Sequence, residues 1–291
     1  MQQAHTTCNF STSNSWVVLS PIEQRIKEKI EAIGTPLKDW NIQINYGIKT
    51  GFNDAFIIST EKRNEILAAC LSEEEWRKTD ALIRPILRGR DIKRYGYDWD
   101  GKWLIATFPS RKYEIEEYPA VKQYLLSFGK ERLMQSGDRG SRKKTNNKWF
   151  ETQDSISYWE DFLKPKIIYP NMTKYMPFVL DKNGYYTNQK CFILTGDNLS
   201  YLTAFFNSNV FKICYRDNFP ELQGGTRELS KIFFENIKIP RVESIIEEDF
   251  DTLIEDMQNG KNYADIRLER ALLFALDLYK EEDYILNYKI Q

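Results

Sequence analysis

The segment from Ile44 to Ile58 constrains the fold more than any other part of the chain. Its first half alternates apolar with polar residues and its second half ends in the apolar run Phe56-Ile57-Ile58, so both halves are predicted to be strands. Thr50-Gly51 supplies the turn between them, because glycine reaches positive φ without steric cost. The segment is therefore predicted to be a β-hairpin, whose tip offers Lys49 and Asn53 either to a polyanion or merely to water.

Length and composition predict a soluble, cytoplasmic protein with a real core. The chain has 291 residues, of which 42% are hydrophobic, so one large domain or two unequal domains are expected. No apolar run approaches the ~20 residues of a membrane helix. The first ten residues lack the basic and apolar regions of a signal peptide. The four cysteines lie far apart, which favours buried thiols over a disulfide framework or zinc ribbon.

Residues that could carry catalysis are few. His5 is the single histidine, which excludes a Ser-His-Asp triad and an H-E-x-x-H metal helix. The sequence also lacks glycine-rich phosphate loops and the Asn-Pro-Pro-aromatic tetrapeptide that an adenine-specific methyltransferase needs for its flipped base. We therefore predict no catalytic centre and no metal site in this chain. A cryptic Asp…Glu-x-Lys nuclease site remains open.

Charge is distributed unevenly along the chain. The net charge is −1, but residues 241–291 carry 13 acidic and 6 basic side chains, so the preceding part is basic overall. Together with the polar composition of the first residues, this asymmetry predicts a disordered tail at 1–15, a neutral-to-basic working body at 16–240 and an acidic helical segment at 241–291.

Two segments concentrate the positive charge. Between Leu82 and Tyr95 lie five cations and one acid, and arginine forks bind phosphates and guanine edges bidentately. The second segment, Lys130–Lys148, has a balance of +5 and contains flexible glycines beside aromatic residues, a composition that suits a nucleic-acid backbone. The alternatives are a solvated basic loop for the first segment and a mobile surface loop without a partner for the second.

The remaining patterns predict the fold class. Ser20, Pro21 and Glu23 form the start of a capped helix. Further hairpins are predicted around Asp100-Gly101 and Asn183-Gly184. Helices are predicted from Pro119 to Leu133, from Leu199 to Tyr215, and twice after Ile245 with a break at Asn259-Gly260. Together these patterns predict an α+β fold with mixed, largely antiparallel sheets and hairpins, packed helices and a C-terminal helical segment.

Several short motifs occur in an order that resembles a known family. They are Lys29-Ile30-Glu31-x-x-Gly34-Thr35-Pro36-Leu37, Gly47–Phe56, Pro85–Tyr95, Lys164-Pro165-Lys166-Ile167, Phe206-Asn207-Ser208, Asn236-Ile237-x-Ile239-Pro240 and the helix Leu268–Tyr279. Over residues 16–288 the chain resembles the TaqI-like target-recognition domain at the C-terminus of type IIG restriction–modification enzymes and adenine-specific DNA methyltransferases.

The resemblance implies a specificity module that reads double-stranded DNA and works with a methyltransferase domain or subunit. S-adenosylmethionine and magnesium would belong to catalytic domains outside this sequence, so no cofactor is expected here. No membrane partner is expected. We predict phosphate contacts from the two basic segments, and base-edge contacts from loop residues. The predicted phosphate-binding residues are Arg84, Arg88, Arg90, Lys93, Arg94, Arg139, Lys143, Lys144 and Lys148. The predicted base-reading residues are Lys49, Asn53, Arg142 and Arg227.

Two other functions remain open. The chain could be an assembly subunit of a restriction–modification complex, in which the C-terminal helices dock another protein without base readout. It could also be a nuclease with an unrecognised site. If the chain is a DNA-reading specificity module, its acidic segment is expected to lie away from DNA, because it would repel phosphate.

Overall fold

A central antiparallel sheet, a second sheet beside it and several layers of helices make up the structure. The computed structural model describes residues 19–242, 244–261 and 263–289. The strands are β1 (Thr35–Pro36), β2 (Ile42–Tyr46), β3 (Ile57–Ser59), β4 (Ile83–Leu87), β5 (Ile92–Lys93), β6 (Gly96–Tyr97), β7 (Lys102–Ile105), β8 (Lys166–Pro170), β9 (Met172–Thr173), β10 (Val179–Asp181), β11 (Tyr186–Thr187), β12 (Cys191–Gly196), β13 (Arg227–Glu228) and β14 (Lys238–Ile239). The helices are α1 (Pro21–Ile33), α2 (Asn53–Phe56), α3 (Thr60–Ala68), α4 (Glu73–Leu82), α5 (Pro119–Leu126), α6 (Lys130–Leu133), α7 (Leu199–Asn207), α8 (Asn209–Tyr215), α9 (Lys231–Phe234), α10 (Ser244–Gln258), α11 (Ala264–Ala275) and α12 (Glu282–Leu286).

The central sheet has the strand order β10-β8-β12-β2, with every neighbouring pair antiparallel. Successive side chains of a strand point to opposite faces. Accordingly, Ile167 and Leu194 belong to one hydrophobic core, whereas Ile168 and Ile193 belong to another. Both faces of this sheet are therefore covered, which explains why β8 is buried along its whole length.

One face of the central sheet is covered by helices. Helix α1 begins at the predicted capping box, in which Ser20 and Glu23 cap each other's backbone, and it buries Ile26 and Ile30. Helix α7 is buried along its whole length, and α10 and α11 pack against it through residues such as Phe250. The acidic C-terminal segment therefore shares its core with the rest of the chain. None of the helices in the described residues is long and apolar enough to cross a membrane.

The second sheet has the order β11-β4-β7-β3 and packs with α3, α4, α5 and α6 around the other core. β11 pairs with β4 in parallel, and the remaining pairs are antiparallel. Helices thus pack with largely antiparallel sheets, and the predicted α+β class is confirmed.

The three predicted hairpins are not formed. Turn glycines occur as expected at Gly51, Gly101 and Gly184, which have φ of +77°, +60° and +75°. However, the strands on either side of each turn pair with other partners. β2 lies in the central sheet while β3 lies in the second, β6 pairs with β5 while β7 pairs with β3 and β4, and β10 and β11 lie in different sheets. Turn chemistry predicts where the chain bends, but strand pairing depends on contacts distant in sequence.

Two predicted helices are shorter than expected. The helix that starts at Pro119 ends at Leu126, and α6 is a separate turn after Gly129, whose φ is +86°. The helix from Leu199 is interrupted at Ser208, whose hydroxyl accepts from the backbone N–H of Phe211 and caps a second helix. Ser208 thus acts as an N-cap rather than as a helix-interior residue. The predicted break at Asn259-Gly260 is present between α10 and α11, and the predicted disordered tail lies outside the described residues.

Candidate nucleic-acid interface

A cleft lined by cations lies between the first basic segment and the ends of the central sheet. Its volume is about 1060 Å³, and we call it the basic cleft. It is lined by residues 88–90 and 92–94, by parts of the segment between Pro170 and Pro177, by Asn188 and Lys190, and by Lys212 from α8. Its lining cations are Arg88, Arg90, Lys93, Arg94, Lys190 and Lys212, and no carboxylate is among the lining residues that the structure describes. Such a surface suits a polyanion.

The turn that shapes one wall of the cleft is held by Arg88 and Asp91. The buried Asp91 carboxylate accepts from the backbone N–H of Arg88 at 2.8 Å and from its guanidinium at 3.0 and 2.9 Å. The hydrogen bond to Asp91 raises the pKa of Arg88, and Asp100 adds a second ion pair at 2.7 Å. Arg88 therefore braces the turn. Its neighbour Arg90 is 72% exposed and, among the described residues, makes only long ion pairs, with Asp91 at 3.9 Å and with Asp100 at 3.7 Å.

Lys93 and Arg94, the other two cleft cations predicted in this segment, differ in how strongly other residues of the protein hold them. Lys93 is exposed and lies 3.6 Å from Asp98, also exposed. Arg94 donates to the backbone carbonyl of Asn207 at 3.2 Å and pairs with Asp265 of α11 at 2.7 Å. The acidic C-terminal segment thus packs on the body, and one of its carboxylates pairs with a predicted phosphate-binding residue.

Lys190 and Lys212 are the cleft residues that the sequence analysis missed. Lys190 is exposed, and its side chain has no ion-pair partner among the described residues. Lys212 is half-buried, and this burial lowers its pKa. Lys190 ends the polar stretch Asn188-Gln189-Lys190 between β11 and β12. A polar stretch between two apolar strands indicates an exposed loop, and this pattern could have identified Lys190 as a candidate. Lys212 lies within a buried helix and gave none.

Backbone hydrogen bonds join the cleft to the turn that carries Lys49. The N–H of Gln189 donates to the carbonyl of Ile48 at 3.0 Å, and the N–H of Asn188 donates to the carbonyl of Leu87 at 3.1 Å. Lys49 and Asn53 are both exposed, and the side-chain oxygen of Asn53 accepts from the Thr50 hydroxyl at 2.7 Å. The structure therefore brings Lys49 next to the segment that ends in Lys190.

Arg142 is placed differently from its prediction. Its side chain is 2% exposed and donates to the carbonyls of Leu133, Thr50, Glu151 and Trp149 at 2.6–2.9 Å. Burial lowers the pKa of Arg142 to about 10. Four of its five N–H donors bind backbone carbonyls and the side chain is buried, so it cannot reach a base edge in this conformation. Instead it fastens the second basic segment to the Lys49 turn.

The remaining cations of the second basic segment lie on the surface. Arg139, Lys143 and Lys144 are exposed and have no hydrogen-bond or ion-pair partner among the described residues. Lys148 is exposed and pairs with Glu114 at 2.9 Å. The predicted flexible loop is thus anchored through Arg142, while its three unpaired cations face solvent.

Two further predicted residues do not join the cleft. Arg227 is buried and pairs with Asp217 at 2.8 Å and Glu221 at 2.7 Å, so its predicted role as a base reader is not supported by its position. Arg84 lies in a separate pocket, with its guanidinium 5.9 Å from the ring centre of Tyr186. Tyr186, the aromatic neighbour of Arg84, is about a hundred residues away in sequence, so only the fold shows that contact.

The close approach of Gly47 to residue 188 positions the Asn188–Lys190 segment. A Cβ added at Gly47 would lie 2.0 Å from the carbonyl oxygen of Asn188. We expect Gly47→Ala to lower the free energy of unfolding by about 1–3 kcal/mol, because the two backbones must separate. Urea denaturation measures this effect. Gly96→Ala is the control, since nothing lies within 4 Å of a Cβ there. Equal stability of the two variants would contradict the assigned contact.

Comparison with known proteins identifies the class of this chain. The model of the TaqI-like C-terminal specificity domain matches residues 84–239, which is more than half of the chain. The chain therefore belongs to the TaqI-like specificity domain family, and the resemblance seen in the sequence motifs is confirmed. Membership of this family of type II restriction–modification enzymes supports a role in DNA recognition. No match was found among curated proteins.

Two solved structures are similar to the chain. The type IIL restriction–modification enzyme MmeI, solved in complex with DNA, aligns with a TM-score of 0.53 and 14% identity over 88% of this chain and 34% of its own. The type IIG restriction endonuclease BpuSI aligns with a TM-score of 0.48 and 11% identity over 87% of this chain and 33% of its own. The likeness to MmeI shows a shared fold, and this chain spans about a third of the length of either enzyme.

Proposed function

We propose that this chain is the sequence-specific double-stranded DNA-binding module of a type II restriction–modification system. The basic cleft is the observation that carries the proposal, since six cations and no carboxylate are among its described lining residues. Arg88 and Arg94 are paired with carboxylates outside the lining, whereas Lys190 has no ion-pair partner in the described part of the chain. DNA affinity comes mainly from lysines and arginines that neutralise phosphates. Because the chain belongs to the TaqI-like specificity domain family, DNA is the expected polyanion.

Phosphate contacts are assigned to the exposed cations of the cleft and its neighbouring loop. Arg90, Lys93 and Lys190 project from the cleft walls, and Lys143 and Lys144 project from the segment that Arg142 fastens beside the Lys49 turn. Lys190, Lys143 and Lys144 have no ion-pair partner among the described residues, and the pairs of Arg90 and Lys93 with carboxylates are long and solvent-exposed, so phosphate oxygens can compete for their donors. Arg88 and Arg142 hold the loops that present these cations. Cations on three separated segments can thereby fix the register of one duplex.

Base-edge contacts are assigned to Lys49 and Asn53. Both side chains are exposed at a turn whose backbone is tied to the cleft segment, and lysine and asparagine can hydrogen-bond guanine and adenine edges in the major groove. Because a single chain has no internal two-fold axis, a non-palindromic target is expected.

Catalysis is assigned to other parts of the enzyme. MmeI and BpuSI are about three times as long as the aligned region, so a methyltransferase domain or subunit would accompany this module. S-adenosylmethionine and magnesium would bind there. The exposed side of α11, with Ile266 and Phe274 eight residues apart, offers an apolar surface for that partner.

Charge reversal at Lys190 tests the assignment of the cleft. Lys190→Glu is expected to weaken duplex binding by about tenfold or more, because a charge-assisted hydrogen bond to phosphate contributes roughly 1.5–3 kcal/mol and about 1.4 kcal/mol is a factor of ten. Fluorescence anisotropy with a labelled duplex measures the dissociation constant at one fixed salt concentration.

Lys38→Glu serves as the matched control, since it makes the same charge change at an exposed lysine beside Asn236, outside the cleft lining. We expect this control to bind duplex within about twofold of the unaltered chain, because distant exposed charges are screened. Equal weakening by both substitutions would mean that net charge, and not the cleft, determines binding.

A further inference from the structure

A second pocket combines cations with aromatic rings on a different part of the surface. Its volume is about 400 Å³, within the range of small-molecule sites, and we call it the aromatic pocket. Its chemistry comes from Arg84, Arg111, Tyr113, Tyr118, Trp159 and Tyr186. No residue lines both this pocket and the basic cleft, and no carboxylate lines the aromatic pocket.

Both arginines of the pocket lack polar partners. The guanidinium of Arg111 stacks over Trp159, 3.8 Å from the ring centre, and lies 5.5 Å from that of Tyr113. The Nε of Arg84 is buried without a hydrogen-bond partner. Neither side chain has a hydrogen bond or an ion pair among the residues that the structure describes, whereas Arg88, Arg94 and Arg227 are each paired with carboxylates. The pocket therefore holds two uncompensated positive charges.

The two guanidinium groups converge on one tyrosine. Burial raises the pKa of Tyr113, and both Arg111 and Arg84 lie close enough to oppose that increase. Lys78 at the rim is already paired with Glu74 and Glu117. An anionic group placed beside Tyr113 would thus meet two arginine forks whose donors are free to bind it.

The rings define what such an anion should be attached to. Tyr186, stacked against Phe162 at 4.8 Å, and Tyr118 are buried and form fixed walls, whereas Tyr113 and Trp159 are half-buried. Aromatic side chains and arginine planes stack on nucleobases without strong preference among them. We infer that the aromatic pocket binds a nucleoside monophosphate, with its base against Tyr113 and the guanidinium plane of Arg111, which itself lies on Trp159, and with its phosphate at the donor edges of Arg84 and Arg111.

The ligand could be a free nucleotide or a nucleotide of a single strand, since both present the same base and phosphate. Calorimetric titration of the full chain with dAMP, deoxyadenosine and inorganic phosphate tests the chemistry. We expect dAMP to bind and each of the other two to bind at least about tenfold more weakly, because either one satisfies only half of the site. A single-stranded oligonucleotide that displaces dAMP identifies a strand as the source, and failure to displace identifies the free nucleotide.

Arg111→Met is the first test variant because Arg111 is exposed and its replacement should leave the fold intact. It should weaken dAMP binding by about tenfold or more while duplex binding in the basic cleft is unchanged. Arg267→Met is the control, since Arg267 stacks on Tyr263 at 4.9 Å outside the pocket and should have no effect. Arg84→Met should repeat the result of Arg111→Met.

Three results would overturn this inference. They are no detectable dAMP binding, equal dAMP affinities of Arg111→Met and Arg267→Met in chains of unchanged thermal midpoint, and deoxyadenosine binding as tightly as dAMP. None of these results bears on duplex binding in the basic cleft, so this inference and the proposed function can fail separately.

Discussion

Replacing Lys166 with methionine is expected to lower the free energy of unfolding by about 3–5 kcal/mol. The Lys166 ammonium is fully buried and donates to Asp181 at 2.5 Å and to the Phe162 carbonyl at 2.6 Å. Burial lowers the pKa of Lys166, and the Asp181 carboxylate opposes this by favouring the charged form. Removing the lysine leaves a buried carboxylate without its counter-ion, which costs much more than the loss of a surface pair.

A double variant at Lys166 and Asp181 distinguishes the energy of the ion pair from that of the other contacts each residue makes. Asp181 also accepts from the backbone N–H groups of Asn183 and Tyr185, both at 3.0 Å, so it shapes the turn between β10 and β11. In Lys166→Met combined with Asp181→Asn the charge is gone but an acceptor oxygen remains. We expect the double variant to be more stable than the sum of the two single losses predicts.

Lys182→Met is the matched control for this experiment, because Lys182 pairs with Asp251 at 3.2 Å and Glu255 at 3.0 Å but is largely exposed. Its loss should cost less than about 1 kcal/mol. Urea denaturation of the four variants gives all the required values. A cost at Lys166 no larger than that at Lys182, or strictly additive losses at Lys166 and Asp181, would contradict the buried pair.

Local structure was largely predictable from the sequence. The capping box at Ser20, the turn glycines at Gly51, Gly101 and Gly184, and the break at Asn259-Gly260 all depend on residues close together in the chain. Strand pairing was not predictable in this way. Each supposed hairpin has its two strands in different sheets or with different partners, and a turn motif carries no information about which distant strand completes the hydrogen-bonding ladder.

The candidate site was predictable only where its residues are neighbours in sequence. Arg88, Arg90, Lys93 and Arg94 line the basic cleft together, as the charge cluster suggested. Lys190 and Lys212 complete it from segments about a hundred residues away. Conversely, Arg142 is held by the Thr50 carbonyl, 92 residues earlier in the chain. Arginine side chains are mostly exposed in folded proteins, so the residue type alone predicted an exposed Arg142. Burial of a cation therefore depends on partners that only the fold reveals.

The cations of the basic cleft, the buried cations and the arginines of the aromatic pocket form three sets that differ in exposure and in partners. One set, including Arg90, Lys93 and Lys190, is exposed in the cleft. A second, including Arg142 and Arg227, is buried and structural. The third, Arg84 and Arg111, forms the aromatic pocket. Most of these cations were predicted to form one DNA-binding surface; the first set lines one cleft, and the other two sets lie elsewhere.

Duplex affinity of the unaltered chain is expected to fall by about a thousandfold between roughly 50 and 200 mM salt, if the cleft and loop cations neutralise about six phosphates. Each neutralised phosphate releases condensed counterions and contributes about −0.9 to the slope of log affinity against log salt concentration. Lys190→Glu should make this slope shallower by about one, because it removes one phosphate contact. Lys38→Glu should leave the slope unchanged, since Lys38 lies outside the cleft.

The salt dependence of duplex binding, measured by fluorescence anisotropy on the unaltered chain and these two variants, tests the central claim most directly. We predict a steep slope that Lys190→Glu reduces and Lys38→Glu does not. A flat response to salt, or identical slopes for all three chains, would contradict the claim that the basic cleft binds the phosphate backbone of DNA.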